Sequence, residues 1–207
     1  MVEFVPSHAM TDKKFFADFV LLGMQGEFTF HVLSTLLDSA CLPEKIFLYG
    51  QQKKSISPDI HGIKVEVKHS ETPILSLIRQ FSIPVSFVRH DELSNHLKGM
   101  SFDYLVTACW PLLIPENVLS QAGKAALNIH PSLLPLYKGL NPVRDQLTAK
   151  DERFGVTLHH MNNNYDSGEI EIQQAIQNMV NPNIEDIEKA CAKSGARLLI
   201  KVLGDSA

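Results

Sequence analysis

Short apolar runs alternate with amphipathic segments along most of the chain. The runs are rich in Val, Ile, Leu and Phe and are too short for helices, which is typical of strands buried on both faces. Between them, apolar residues recur at helical spacing. The runs predict strands at residues 19–24, 45–50, 84–88, 104–110 and 127–130. The intervening segments predict helices at residues 28–40, 73–81 and 91–98, and a polar loop with a short extended piece at residues 51–70.

The last third of the chain has a different pattern. Asn141 followed by Pro142 is typical of a helix N-terminus and predicts a helix over residues 142–149. Alternating apolar and polar residues predict strands at 155–161 and 169–176. Helical spacing of apolar residues from Ile184 to Val202, with acidic residues first and basic residues last, predicts a closing helix.

Strands that alternate with helices in this way predict an α/β fold. The expected architecture is Rossmann-like: a mostly parallel sheet with helices on both faces. We expect residues 19–207 to form a single domain. Residues 1–18 fit no element of the pattern and are expected to form an N-terminal arm.

Composition and charge narrow the class of protein. Of the 207 residues, 44% are hydrophobic and 20% are charged, which is ordinary for a globular domain. A net charge of −4 argues against a broad nucleic-acid surface. The sequence shows no leader and no apolar run long enough to span a bilayer, so we expect a cytoplasmic protein with no membrane partner.

The cysteines do not suggest a metal site. Cys41, Cys109 and Cys191 are far apart and fit no metal-binding spacing. We expect them to be buried, reduced thiols. The six histidines other than His130, His159 and His160 show no pairing at the spacing of metal ligands. The sequence therefore predicts no bound metal.

Two short stretches carry side chains suited to catalysis. Asn128 and His130 lie two residues apart at the end of a predicted strand, so strand alternation puts both side chains on one face. Ligands of open α/β sheets bind just beyond such strand ends. Asp166 lies in a turn that ends with Gly168. Taken separately, the pair also fits turn-capping residues, and the aspartate also fits an ordinary turn.

Together these stretches resemble the formyltransferase family that uses 10-formyltetrahydrofolate. The matching positions occur in the family's order and spacing, and weaker likeness extends from about Phe19 to the C-terminus. They are Asn128-Ile-His130-Pro-Ser-Leu-Leu-Pro135, Tyr137-Lys-Gly139, Gly155-Val-Thr157 and Asp166-Ser-Gly168-Glu-Ile170. The combination is highly specific, whereas each piece alone is weak.

The resemblance implies an enzyme that moves a formyl group from 10-formyltetrahydrofolate to an amine without a metal. Its catalytic residues would be Asn128, His130 and Asp166. The first two would stabilise the oxyanion of a tetrahedral intermediate, and the carboxylate would hold the imidazole. A paired carboxylate would also raise the pKa of His130, so that the imidazole can be cationic near neutral pH.

The resemblance also implies binding residues. Two segments would contact the folate, and the first of them equally fits a hydrophobic loop, with its tryptophan in the core. The expected folate-binding residues are Trp110, Leu112, Leu113, Ile114, Ser132, Leu133, Leu134 and Pro135. The expected acceptor-binding residues are Gly23, Gly26 and His159. His159 is chosen over His160, which strand alternation turns the other way.

The sequence leaves the acceptor open. The Gly-x-x-Gly-Glu-Phe run at residues 23–28 is closer to the opening turn of methionyl-tRNA formyltransferases than to that of glycinamide ribonucleotide enzymes. However, the sequence ends after its closing helix and its net charge is negative, so a tRNA partner is not favoured. The segments at residues 137–142 and 155–159 also match the sugar N-formyltransferases, which act on nucleotide-linked amino sugars.

Two other classes of protein remain as alternatives. A folate-binding module without turnover is less favoured, because all three expected catalytic residue types are present. A nicotinamide oxidoreductase is less favoured because the glycine fingerprint of dinucleotide sites is missing.

Overall fold

A computed structural model describes residues 16–50, 59–60, 63–64 and 72–206 of the chain. Most of the expected arm at residues 1–18 and most of the expected loop at residues 51–70 therefore lie outside the described residues. Where that loop is described, it contains two very short strands that pair antiparallel.

Strands and helices alternate along the described chain as the hydrophobic pattern predicts. The strands are β1 (Phe19–Gly23), β2 (Lys45–Tyr49), β3 (Asp59–Ile60), β4 (Ile63–Lys64), β5 (Val85–Val88), β6 (Tyr104–Ala108), β7 (Ala125–His130), β8 (Gly155–His160) and β9 (Ile170–Ala175). The α-helices are α1 (Glu27–Asp38), α2 (Pro73–Gln80), α3 (Leu93–Leu97), α4 (Glu116–Leu119), α5 (Pro142–Thr148) and α6 (Ile184–Asp205), and a 3-10 turn at His90–Glu92 leads into α3.

Seven strands form one sheet in the order β5-β2-β1-β6-β7-β8-β9. The first five are parallel neighbours, whereas β8 runs antiparallel to β7, and β9 antiparallel to β8. This mostly parallel sheet with helices on both faces confirms the predicted Rossmann-like α/β fold.

The core has two layers, one on each face of the sheet. Strands β1 and β6 are buried at every position, as central parallel strands covered on both faces must be. Alternate residues of β1 divide between the layers: Leu21 packs with α1, α2 and α6, whereas Val20 and Leu22 pack with α3 and α4. In each layer, apolar residues at every second position of the strands therefore pack against apolar residues that recur every 3.6 positions in the helices.

Helix α6 completes the layer that contains α1 and α2, and it packs there against β7 and β8. Its N-terminus carries a capping box, in which Asp186 N–H donates to Asn183 at 2.9 Å and Asn183 N–H donates to Asp186 at 3.2 Å. Gly195 lets the helix approach the sheet, because a Cβ there would overlap Ile129 and lie 3.0 Å from Val156. The helix thus lies directly over the strand that carries Asn128 and His130.

Three features differ from the sequence prediction. The strand predicted at 104–110 ends at Ala108, because Cys109 adopts a left-handed conformation with a φ of 61°. Cys109 is exposed, so the prediction of a buried thiol is wrong there, although Cys41 and Cys191 are buried. The sequence prediction also misses α4, which is too short to display a helical period. Among the described residues, no helix is both long and apolar enough to cross a bilayer.

Candidate active site

A cavity of about 440 Å³ opens at the carboxyl ends of the strands, at the point between β1 and β6 where the strand order reverses. Ligands of doubly wound sheets bind at this switch point. The segments that follow β1, β6 and β7 line the cavity. Strand β8 adds residues from the far side, since His159 pairs in register with Asn128. The turn before β9 supplies Asp166.

The carboxamide of Asn128 has a fixed orientation. Thr107, its register partner on β6, donates its hydroxyl to Asn128 Oδ1 at 2.7 Å. The Nδ2 group then lies 3.1 Å from His159 Nε2 and 3.4 Å from Asp166 Oδ1. Because the amide oxygen is engaged by Thr107, Nδ2 is the end of Asn128 that faces His159 and Asp166.

The imidazole of His130 is fixed through one of its nitrogens. Nε2 lies 2.9 Å from Tyr137 O. A carbonyl oxygen can only accept, so Nε2 carries a proton and donates it. The other nitrogen, Nδ1, lies 3.5 Å from Asp166 Oδ1. Nδ1 is therefore the nitrogen that remains available to a ligand.

Burial and neighbouring groups act in opposite directions on the pKa of His130. The side chain is 4% exposed, and this loss of hydration lowers the pKa most strongly. Asp166 and the Tyr137 carbonyl raise it, and His159 lowers it further. The resulting pKa lies below the ordinary value of 6.5. The paired carboxylate does raise the pKa of His130, as expected from the sequence, but burial outweighs it.

Asp166 is held by the backbone as well as by side chains. It has a φ of 46°, and its Oδ2 accepts the N–H of Gly139 at 2.8 Å. Burial raises the pKa of Asp166, but the hydrogen bond from His159, the charge on His130 and the Gly139 N–H outweigh burial and leave the pKa below its ordinary value. Asp166 is therefore an anion at neutral pH. Gly168 has to be glycine, because a Cβ there would overlap the carbonyl of His160.

His159 belongs to the same cluster. It is 2% exposed, its Nε2 lies 3.4 Å from Asp166 Oδ1, and its Nδ1 donates to His160 O at 2.8 Å. His160 turns away and pairs with Glu171 at 2.9 Å, as strand alternation predicts. Although two imidazoles and a carboxylate meet here, no group of three or more His, Cys, Asp or Glu in the described chain is arranged to hold a metal ion.

The cavity has an apolar half and a second half in which charged residues lie beside apolar ones such as Phe28 and Val143; we call the second the charged half. Residues 110–114 and Met161 line it on the α4 side of the sheet, which brings the predicted residues Trp110, Leu112, Leu113 and Ile114 together. On the α1 and α6 side, the charged lining residues are Glu27, Arg144 and Glu188. The Asn128, His130 and Asp166 cluster lies at the same cavity, and Gly26 contributes to its wall.

Five of the predicted binding residues do not line the cavity. Gly23 packs under the site, where a Cβ would lie 2.9 Å from Ala108 O and collide with Thr29. The segment 132–135 supports the β7–β8 junction instead. The hydroxyl of Ser132 donates to Leu136 O at 2.7 Å, Leu133 packs on Gly155, Leu134 N–H donates to Thr157 at 3.1 Å, and Pro135 is exposed. The folate contact expected for this segment stays a prediction.

Sequence reasoning missed several groups at the site. Thr107 is the one threonine in the apolar run of β6, and this polar residue in a buried strand is a signal that was available in the sequence. Glu188 lies near the start of α6, where acidic residues are explained by the helix dipole. The role of the Tyr137 carbonyl could not be predicted, because every residue has a backbone carbonyl and the sequence does not show which one contacts His130. Which of these residues act in catalysis stays a prediction.

Comparison with known proteins assigns this Rossmann-like domain to a family. The family model described as "Formyl transferase" matches residues 48–203. The match covers well over half of the chain, so the protein belongs to the formyl transferase family. Members of this family are one-carbon transferases, which agrees with the resemblance drawn from the sequence.

Relatives with similar sequences carry the name methionyl-tRNA formyltransferase. The protein from Ehrlichia chaffeensis is 33% identical over 139 residues, which cover 66% of this chain and 46% of that protein. The protein from Rickettsia prowazekii is 29% identical over 161 residues, covering 76% of this chain and 51% of that protein. The chain therefore spans about half the length of these relatives.

Solved structures of two other branches share the fold. Phosphoribosylglycinamide formyltransferase from Bacillus halodurans superposes with a TM-score of 0.69 at 18% identity, covering 91% of this chain and 94% of that chain. A sugar N-formyltransferase from a Shewanella species gives a TM-score of 0.61 at 17% identity, covering 91% and 69%. At such identities the likeness shows the fold alone, so it does not choose among acceptors.

Proposed function

We propose that the protein transfers the formyl group of 10-formyltetrahydrofolate to the nitrogen of an amine, as a domain similar to the catalytic part of methionyl-tRNA formyltransferases. The observation that carries this proposal is the convergence of Asn128, His130 and Asp166 at one cavity. Asp166 Oδ1 lies 3.4 Å from Asn128 Nδ2 and 3.5 Å from His130 Nδ1. Membership of the formyl transferase family supports the same reaction class.

The apolar half of the cavity fits a folate. A pterin ring is flat and apolar on its faces, with polar atoms around its edge, so it needs apolar walls and a few backbone partners. Residues 110–114 offer such walls, and a volume of about 440 Å³ is typical of small-molecule sites. When bound there, the folate supplies an activated formyl group on N10.

The cluster offers hydrogen-bond donors for the negative charge that develops on the formyl oxygen during the reaction. The acceptor nitrogen bonds to the formyl carbon, the carbonyl oxygen becomes an oxyanion, and collapse breaks the bond to N10, which takes up the proton that the acceptor loses. Asn128 Nδ2 and the protonated Nδ1 of His130 are the donors available to that oxyanion. Each such donor lowers the barrier by about 3–4 kcal/mol.

Asp166 keeps the protonated form of His130 accessible. Burial of the imidazole disfavours its charge, and the carboxylate 3.5 Å away opposes that effect. Because Nε2 is engaged by Tyr137 O, the proton that can reach the reaction lies on Nδ1. Asp166 therefore sets how much of the enzyme is active at neutral pH.

The charged half of the cavity fits an acceptor with groups of both signs. Burial raises the pKa of Glu188, its neighbour Glu185 raises it further, and Arg144 lowers it. A carboxylate here attracts the amine of the acceptor, and the guanidinium attracts an anionic group of the same molecule. The aminoacyl end of a charged tRNA and a nucleotide-linked amino sugar both carry such groups.

An acceptor panel tests the proposal. The protein is mixed with 10-formyltetrahydrofolate and, in separate reactions, with methionyl-tRNA, a nucleotide-linked amino sugar or glycinamide ribonucleotide. We expect one acceptor to gain a formyl group, detected by mass spectrometry, with one tetrahydrofolate formed per product. The Asn128→Ala variant serves as the matched control and should bind folate while turning over about 100- to 1,000-fold more slowly.

Two results would change the assignment. Tight folate binding without transfer to any acceptor or to water would favour a folate-binding module over an enzyme. Absence of folate binding by calorimetry would reject the proposal outright.

A further inference from the structure

A three-residue loop contacts two members of the catalytic cluster at once. Tyr137 O accepts the Nε2–H of His130, and Gly139 N–H donates to Asp166 Oδ2. Tyr137 has a φ of 52° and Gly139 a φ of 108°. The left-handed conformation is ordinary for glycine but unfavourable for a residue with a Cβ. The loop therefore needs other contacts to hold Tyr137 in this conformation.

The side chain of Tyr137 makes such a contact outside the cavity. Its hydroxyl donates to Asp151 Oδ2 at 3.0 Å. Arg153 fixes that carboxylate in turn, because its Nε and Nη2 donate at 2.8 and 2.7 Å and its backbone N–H donates at 3.1 Å. Neither Asp151 nor Arg153 lines the cavity. We call Tyr137, Asp151 and Arg153 the tyrosine clamp.

The tyrosine clamp keeps its charge state over the pH range in which His130 titrates. Hydrogen bonds from Arg153 hold the pKa of Asp151 well below its ordinary value. Burial and the hydrogen bond to Asp151 raise the pKa of Tyr137 above its ordinary value of 10.0. Between about pH 5 and 9 the clamp therefore contributes no titration of its own.

Resting on the proposed formyl transfer, we infer that Tyr137 is a positioning residue: the tyrosine clamp holds its carbonyl where it selects the Nε2–H tautomer of His130 and leaves Nδ1 for the reaction. A neutral imidazole has two tautomers, and only the one protonated at Nε2 can donate to this carbonyl. The same hydrogen bond favours the imidazolium, since the carbonyl lies against its N–H. Displacement of the carbonyl removes both effects.

The test uses Tyr137→Phe, which deletes only the hydroxyl that reaches Asp151. Tyr104→Phe is the matched control, because the Tyr104 hydroxyl also makes one side-chain contact, to Ser206 Oγ at 2.9 Å, away from the site. Nitrogen-15 NMR of the histidines gives the tautomer and the titration midpoint of His130, which is assigned by the signal lost in His130→Gln. This readout needs no acceptor.

We expect the wild type to show His130 protonated at Nε2 when neutral. Tyr137→Phe should show a mixture of tautomers and a titration midpoint lower by about 0.5 to 1 unit. Its kcat should fall about tenfold, with the KM for 10-formyltetrahydrofolate within about twofold of wild type. Tyr104→Phe should match the wild type in every respect. Asp151→Ala should reproduce the effects of Tyr137→Phe. The double variant should be no worse than either, because both substitutions remove the same Tyr137–Asp151 hydrogen bond.

Unchanged NMR behaviour of His130 in Tyr137→Phe would overturn the inference, as would additive losses in the double variant. If Asp151→Ala does not fold, the single tyrosine variant decides alone. The NMR result is independent of turnover, so a wild-type protein with no transferase activity would refute the proposed function while leaving the positioning of His130 to be judged separately.

Discussion

Asp166→Asn is the substitution whose effect on pH dependence follows most directly from the site. It removes one charge while retaining the shape of the side chain and an oxygen for the Gly139 N–H. His130 Nδ1 lies 3.5 Å from the carboxylate, and both side chains are less than a tenth exposed, so solvent screens the pair weakly. Opposite charges at this separation shift a pKa by about 1–3 units.

The direction of the shift is fixed by the sign of the lost charge. Burial already lowers the pKa of His130, and the carboxylate opposes that change. In Asp166→Asn the pKa should therefore fall by a further 1–3 units, approximately. The imidazolium exists below this pKa and is lost as the pH rises. At pH values above both pKa values, the variant should turn over about 10- to 1,000-fold more slowly.

The assay is kcat for formyl transfer from about pH 5 to 9, expressed as the ratio of variant to wild type so that titration of the acceptor cancels. We expect the ratio to climb toward one as the pH falls. Asp103→Asn is the control, because Asp103 pairs with Lys124 at 3.3 Å on the surface and should give a flat ratio near one. A ratio for Asp166→Asn that stays low and flat even at pH values below the titration midpoint of wild-type His130 would refute an electrostatic role for this carboxylate.

Four further predictions follow from the geometry. Asn128→Asp should lower kcat by about 100- to 1,000-fold with little change in folate affinity, as judged by kinetics and calorimetry. Trp110 is the single tryptophan of the chain and lines the cavity, so folate binding should change its fluorescence. Cys109 is the one exposed cysteine, so a thiol reagent should label the native protein once and block folate binding. Gly168→Ala should destabilise the fold by more than about 2 kcal/mol in urea unfolding, since its Cβ would meet a carbonyl.

The last three of these predictions have a matched control or an opposing result. Gly123→Ala should cost little, because the nearest atom to its Cβ lies 3.4 Å away. The Cys109→Ser variant should not react with the reagent. Labelling of this variant would instead indicate transient exposure of Cys41 or Cys191. A folate that binds by calorimetry without any change in fluorescence would place the ligand away from Trp110.

The fold was predictable from sequence because its signals are local. Apolar runs at β1 and β6 and helical spacing in α1 and α6 each reflect burial of one segment against the sheet. The placement of Asn128 and His130 on one face followed from strand alternation in the same way.

The rest of the site depends on contacts between distant segments. Ser132 to Pro135 follow β7 directly, but the chain turns there to pack on β8, so proximity in sequence did not place these residues at the cavity. The pKa of His130 is lowered by burial, and the extent of burial is set by the whole fold. The role of Tyr137 rests on a backbone oxygen, and a pattern of residue types carries no information about that atom.

The most direct test is a crystal structure with a hydrolytically stable folate analogue that bears a formyl group on N10. We expect the ring system to lie against residues 110–114 and the formyl oxygen to lie within about 3.2 Å of both Asn128 Nδ2 and His130 Nδ1. An analogue bound elsewhere, or bound with its formyl oxygen turned away from both nitrogens, would contradict this expectation.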